Sequence, residues 1–351
     1  MTNLNSVSQP TKGVLVINLG TPSAPDTRSV RRYLKQFLSD PAVITIPGWA
    51  RWLLLRLIIL PFRSPKSAKA YQSIWTEEGS PLMVHSKNFI KQLQKEMNDM
   101  SVVLAMRYDE PSIESGLKQL AHCQQIVIIP MYPQFANATT QSTIDEVERV
   151  AKKIKLTSQM SWIREFYHKR EFAQGYANQI RTVLSSEPRA HVLMSYHGLP
   201  KSHLPADCSK KACFRRDEPC PSVGGVEQCY RLQCYYSSRA IAKELNFTDD
   251  DYSVSFQSRL GANAWVQPYT DKILVSLYQR GIRHLAVVCP AFVADCIETL
   301  EEIAIELHEQ WKAMGGESLT LVPCLNAETG WVQSVAGWVY EEFKVMEKDG
   351  A

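Results

Sequence analysis

Residues 13–22 read GVLVINLGTP and residues 191–200 read HVLMSYHGLP. Each opens with an apolar run of strand length and closes on a glycine and a proline-bearing turn. A run without polar alternation is the pattern of a strand covered on both faces, as in a parallel sheet. The same pattern recurs in SVVLAMRY (101–108), QIVIIPMYP (125–133), YSVSFQSR (252–259), HLAVVCPAF (284–292) and SLTLVPCL (318–325). Helical periods such as SIESGLKQL and YTDKILVSLYQRG lie between most of them. The alternation predicts an α/β protein with helices covering parallel sheets. The halves echo each other further, since IVIIPMYPQFA and LAVVCPAFVA both run from strand through proline to an aromatic. Two lobes of this kind, facing each other, place the C-terminal ends of their strands around one central cleft. Short parallel strands also look alike without common origin, so duplication is one of two readings.

With 351 residues and 45% hydrophobic content, the chain can bury a sizeable core without disulfides. The stretch MTNLNSVSQPTKG is polar and has neither an apolar run nor a small-residue cleavage site. That points to the reducing cytosol, where clustered thiols hold metal more often than they form bridges. A net charge of +3, with no basic block interleaved with aromatics, does not support a nucleic-acid partner. No Gly-x-Gly-x-x-Gly or Walker-type loop follows a strand, so no nucleotide cofactor is expected.

After CPAF, apolar residues at Ile297, Leu300, Ala304, Leu307 and Trp311 form the stripe of one helix with a buried face, stopped by Gly315 and Gly316. Asp295, Glu298 and Glu302 fall on one side of that helix near its N-terminal end. They read either as a solvated acidic face or as carboxylates that take a hydrated divalent cation or a proton. His197 ends a strand, where it is either a satisfied core histidine or a group that ligates Fe(II) or accepts a proton near neutral pH. The segment PGWARWLLLRLIILPFRSPKSAK (47–69) is too short and too charged to span a bilayer. With Trp49 and Trp52 among leucines and a basic flank at Arg63, Lys66 and Lys69, it lies either at a membrane surface or buried against the first lobe.

Five of nine cysteines fall at Cys208-x4-Cys213-x6-Cys220-x8-Cys229-x4-Cys234. No Cys-x2-Cys knuckle of a zinc ribbon is present. The irregular spacing is compatible with a [2Fe-2S] cluster on four thiolates, with zinc and free thiols as the other readings. Cys123, Cys289, Cys296 and Cys324 sit in or beside predicted strands or the acidic helix and read as core residues.

Together, GVLVINLGTP, VRRYLKQFLSDP, the segment from Ile74 to Leu82, MRYDEPSIESGL, PMYPQFANATT, SYHGLP, FQSRLGANAW with PYTD, and CPAFVADCIETLEEI resemble the ferrochelatase family over nearly the whole chain. The resemblance implies two Rossmann-like lobes of the chelatase type and insertion of Fe(II) into protoporphyrin IX to give protohaem. By family position the first lobe covers 10–170, with an active-site lip near 47–82. The second covers 186–328, with a cysteine-rich insertion at 206–234, and 329–351 packs back on the first lobe. The resemblance places the active-site histidine on His197 and the iron-side glutamate on Glu298, with Glu302 and Asp295 as a relay. It places porphyrin contacts on Met106, Arg107, Tyr108, Tyr132, Phe135 and Trp265. It further implies a [2Fe-2S] cluster on Cys213, Cys220, Cys229 and Cys234, with Cys208 as the alternate, and membrane contact through 47–66. Where coproporphyrin-inserting relatives carry a tyrosine after the GTP turn, this chain has Ser23, which favours protoporphyrin. Ala264 stands where the family often has proline before Trp265. A coproporphyrin ferrochelatase, a cobalt chelatase, a porphyrin or haem carrier, and an iron-sulfur sensor on a chelatase scaffold are the alternatives.

Overall fold

The structure is a computed structural model that describes residues 11–204, 229–259 and 264–349. Its first sheet contains β1 (Lys12–Asn18), β2 (Ser101–Met106), β3 (Gln125–Pro130) and β4 (Gln159–Trp162), in the order β2-β1-β3-β4. The second contains β5 (His191–His197), β6 (Tyr252–Gln257), β7 (His284–Val288) and β8 (Ser318–Leu321), in the order β6-β5-β7-β8. Every ladder is parallel: Val14 lies opposite Val102 and Val127, and Val192 opposite Tyr252. The two quoted stretches therefore hold equivalent places in two sheets of identical order, each between two neighbours. This explains their unbroken apolar runs, because a central strand buried on both faces has no solvated side.

The helices are α1 (Thr27–Ser39), α2 (Gly48–Leu54), α3 (Leu60–Ile74), α4 (Pro81–Glu96), α5 (Ile113–Gln119), α6 (Ser142–Ile154), α7 (Arg170–Ser186), α8 (Tyr230–Leu245), α9 (Thr270–Gln279), α10 (Ile297–Leu300), α11 (His308–Ala313) and α12 (Thr329–Asp349). α12 packs on α4, α7, β3 and β4. Its Trp331 and Trp338 join Phe166 in an aromatic cluster with ring centroids 5.5–5.6 Å apart. One continuous apolar cluster, including Val16, Val192, Phe172 and Trp331, joins both sheets.

Three features depart from the periodicity. β4 was not among the predicted strands: QMSW is a short edge strand of mostly half-buried residues, so no apolar run marks it. The single helix expected after CPAF is instead α10, a π-helical turn over Glu302–Leu307, and α11. The π turn shifts the face, so that Ile303, Leu307 and Trp311 are buried while Ile297, Leu300 and Ala304 are only partly so. Third, α2, a π turn at Leu55–Ile59 and α3 form one helical arm. It buries Leu55, Leu60, Ser64, Ala68 and Tyr71 and turns Trp49, Leu57 and Phe62 outward at 72%, 63% and 77% exposure. Among the described residues, no helix is long and apolar enough to cross a membrane.

Candidate active site

His197 ends β5 and is fixed by its own loop. Its Nδ1 lies 2.6 Å from the Gly198 carbonyl. A carbonyl only accepts, so Nδ1 carries the proton and Nε2 is the basic nitrogen. Phe292, after β7, meets the imidazole edge-on at 6.2 Å. Gly198 donates to the Gln257 carbonyl at 2.9 Å. A Cβ at Gly198 would stand 2.7 Å from that oxygen and 3.3 Å from the Trp265 ring, so only glycine lets the loop close on β6 and seats Trp265 beside it. Burial lowers the His197 pKa, opposed by the nearby Glu298 carboxylate and the Gly198 carbonyl and assisted by the Arg63 charge. The imidazole is therefore neutral at physiological pH and free to accept a proton.

Glu298 lies in the first turn of α10, which Cys296 caps reciprocally with Thr299. Glu302 follows in the π turn, half-buried, and its pKa is pushed up to about 8, first by burial and then by Glu298. Ser258, at φ +63° directly after β6, donates its hydroxyl to Glu302. Gln257 Nε2 donates to the Glu298 carbonyl at 2.7 Å, and its Oε1 accepts from Ser195 at 2.7 Å. Ser195, Thr270 and Ser255 continue a buried hydroxyl chain in 2.9 Å steps. Asp295 does not share this side. Its carboxylate accepts from Thr299 at 3.1 Å, Asn326 at 2.7 Å and the Cys324 amide at 3.3 Å, which makes it a brace for the start of α10.

The first lobe brings residues that periodicity did not single out. α3 packs against α10. Burial raises the phenol pKa values of Tyr33 and Tyr71 well above normal, and the Glu298 carboxylate adds to both. Arg63 of the same arm faces His197 electrostatically. Tyr33, Tyr71 and Arg63 are ordinary helix residues in one dimension; only the fold brings them within electrostatic reach of Glu298 and His197.

The expected porphyrin contacts divide. Trp265 packs beside Gly198, the residue after His197. Tyr132 is buried, bonds Thr143 at 3.4 Å and has its pKa pushed up to about 12 by burial. The Phe135 amide donates to Gln233 at 2.6 Å, and Arg164 lies 5.9 Å from its ring. Arg107 and Tyr108 instead bind Asp40 Oδ2 at 2.6 and 2.8 Å, as does Ser142 at 2.6 Å. Burial works against the Asp40 charge, yet these bonds and the Ala42 amide hold its pKa below normal. Met106, Arg107 and Tyr108 line a polar cleft of about 1110 Å³ with Asp109, Glu114 and Arg149, in which none of His197, Glu298 and Glu302 takes part.

Cys229 caps α8 and Cys234 lies on it, both fully buried. Burial pushes the Cys234 thiol up, and the neighbouring Cys229 raises it further. Ligation needs thiolates, so this pair fits a cluster through bound iron, whose positive charge would offset the burial that keeps the thiols protonated. Cys208, Cys213 and Cys220 lie outside the described residues, and among those described no three His, Cys, Asp or Glu side chains converge as a metal group.

Residues 11–343 match the ferrochelatase family model. A ferrochelatase of Coxiella burnetii is 46% identical over 92% of either chain, and one of Legionella pneumophila is 42% identical over 95% of this chain and 99% of its own. In structure, SirB from Bacillus subtilis with Fe3+ aligns with a TM-score of 0.53 at 11% identity over 95% of each chain, a likeness of fold. A sirohydrochlorin chelatase SirB from B. subtilis subspecies spizizenii in complex with cobalt aligns at 0.50 and 11% over 92% and 91%. A full-length match of this kind, on a fold of two parallel sheets, makes the chain a member of the ferrochelatase family of metal chelatases.

Proposed function

We propose that the protein inserts Fe(II) into protoporphyrin IX to form protohaem. The observation that carries this is a half-buried imidazole, His197, within electrostatic reach of Glu298, with Glu302 one turn further on. Insertion replaces two pyrrole N–H protons with the metal, so the site must accept protons and hold a dication without changing its oxidation state. His197 Nε2 accepts a pyrrole proton on its side of the ring. Glu298 meets Fe(II) as an anionic ligand; Glu302, whose pKa is pushed up to about 8, gives up its own proton to solvent past Ser258 and Gln257 as the dication arrives beside it, and as a carboxylate then accepts the second pyrrole proton. Asp295 acts by holding the start of α10. Met106, Tyr132, Phe135 and Trp265 serve as walls of the macrocycle slot, while Arg107 and Tyr108, held by Asp40, bind at its polar mouth.

By this reading the first lobe (10–170) supplies the lip, the second (186–328) the acid–base groups, and 329–351 joins them. Ser23 accepts from Arg32 at 2.8 Å, and its small side chain supports protoporphyrin over coproporphyrin as substrate. Cys229 and Cys234, with Cys213 and Cys220 or Cys208, hold a [2Fe-2S] cluster in a stabilising or oxidant-sensing role; a cluster supplies thiolate-bound iron there and no step of insertion. The protein is cytoplasmic, and the outward face of the arm at 47–66 touches the inner membrane surface, where an apolar porphyrin is delivered.

An anaerobic comparison of protoporphyrin IX with coproporphyrin III, and of Fe(II) with Co(II), tests the assignment. It stands if kcat/KM is highest for Fe(II) with protoporphyrin. Preference for coproporphyrin or cobalt overturns the substrate assignment, and stoichiometric binding without turnover indicates a carrier or sensor.

A further inference from the structure

α8 buries polar side chains where a helix of its length would ordinarily bury apolar ones. Arg231, Gln233, Ser237 and Ser238 are each at most 3% exposed. Buried polar groups are unfavourable unless paired, and the pairing then fixes position as well as stability. The partners on one face of α8 lie in both lobes. Tyr230 donates its hydroxyl to the His197 carbonyl at 2.7 Å. One turn on, Gln233 Oε1 accepts the Phe135 amide at 2.6 Å. One turn beyond that, Ser237 bonds Gln134 Nε2 at 3.1 Å and the Tyr167 carbonyl at 3.3 Å. Gln134 also donates to the Pro290 carbonyl, at 3.2 Å, in the loop after β7.

The catalytic histidine is thus held from both sides of its own peptide. Its ring is tied to the Gly198 carbonyl and its carbonyl to Tyr230. A lost bond at the carbonyl frees the one residue whose Nε2 direction decides whether a pyrrole proton is reached. Proton transfer requires hydrogen-bond contact, and small misplacements there are costly.

We propose that Tyr230 is a positioning residue of the chelatase reaction, and that α8 is a strut setting His197 of the second lobe against the Phe135 wall of the first. This rests on the reading of His197 as proton acceptor. Tyr230→Phe keeps the ring and removes one hydroxyl. It lowers kcat about tenfold with KM for protoporphyrin within about twofold. Gln233→Met keeps the volume and removes the acceptor for the Phe135 amide. It raises KM for protoporphyrin severalfold and leaves kcat within about twofold. The geometry is also read without turnover, from the His197 imidazole proton resonances, assigned with His197→Ala: these shift in Tyr230→Phe and hold in Gln233→Met. The proposal is overturned if Tyr230→Phe leaves kcat and the His197 resonances unchanged. It is equally overturned if both variants lower kcat and raise KM in parallel with a fall in folded fraction. Absence of turnover in the unmodified protein, with the resonance shift present, rejects the chelatase reading and keeps the strut.

Discussion

Glu302 is a carboxyl that folding forces to hold its proton, and replacing it with glutamine should change how stability depends on pH. Its pKa rises from 4.5 to about 8, first through burial, then through the Glu298 charge, with Ser258 and Gln257 offsetting part of the effect. A raised pKa means that the folded state binds the proton more tightly than the unfolded chain. The stabilisation is therefore complete below about pH 4.5 and is lost as pH rises toward 8. At about 1.4 kcal/mol per pH unit, the loss between pH 5 and pH 8 is about 3 kcal/mol. Glu302→Gln preserves the shape and the hydrogen bond from Ser258 but cannot ionise. Urea unfolding at pH 5 and pH 8 should show the two proteins differing by about 3 kcal/mol more at the higher pH, in favour of Glu302→Gln. All other titrating groups are common to both, so they cancel. Equal pH slopes would mean that Glu302 ionises as an ordinary surface carboxyl, and its role as a proton station near neutral pH would be wrong.

Other perturbations report on the surrounding structure. Asp40→Ala leaves the Arg107 guanidinium, only 16% exposed, without its carboxylate; unfolding in urea should show a loss of about 3 kcal/mol, and a loss below about 1 kcal/mol would show the pair to be solvated. Paired Trp49→Glu and Phe62→Glu changes on the exposed arm should reduce co-sedimentation with anionic phospholipid vesicles at least about tenfold while leaving detergent-phase turnover intact; an unmodified protein that stays in the supernatant refutes the membrane contact. Cys229→Ser should bleach the visible absorbance of protein purified under argon and leave haem formation in place, and an unmodified protein with no such absorbance contradicts the cluster.

Much of the fold was legible because parallel central strands cannot disguise themselves: Val14–Ile17 and Val192–Met194 are almost wholly buried and read as unbroken apolar runs. The edge strand Gln159–Trp162 buries too little to leave such a run. The helix after CPAF misled for a geometric reason. A π turn advances one extra residue, so a 3.6-residue stripe drawn through Ile297 and Leu300 leaves the buried face, and Asp295 falls before the helix rather than along it. His197 and Glu298 stood out because both follow strand ends, the positions that a doubly wound sheet turns toward its cleft. Tyr33, Tyr71 and Arg63 reach the same place from α1 and α3, across more than a hundred residues of chain, and no local pattern encodes that return. Arg107 and Tyr108 lie on the expected strand end, but Asp40 claims both through charge and hydrogen bonds.

The central claim is that a neutral His197 and the Glu298 carboxylate together exchange pyrrole protons for Fe(II). The most direct test is anaerobic turnover with Fe(II) and excess protoporphyrin IX, followed by loss of free-base fluorescence, in the unmodified protein and in His197→Ala and Glu298→Ala. Many turnovers in the unmodified protein, reduced by at least about a hundredfold in each variant with porphyrin binding retained, are the predicted result. Turnover that survives either substitution at near its original rate would contradict the account.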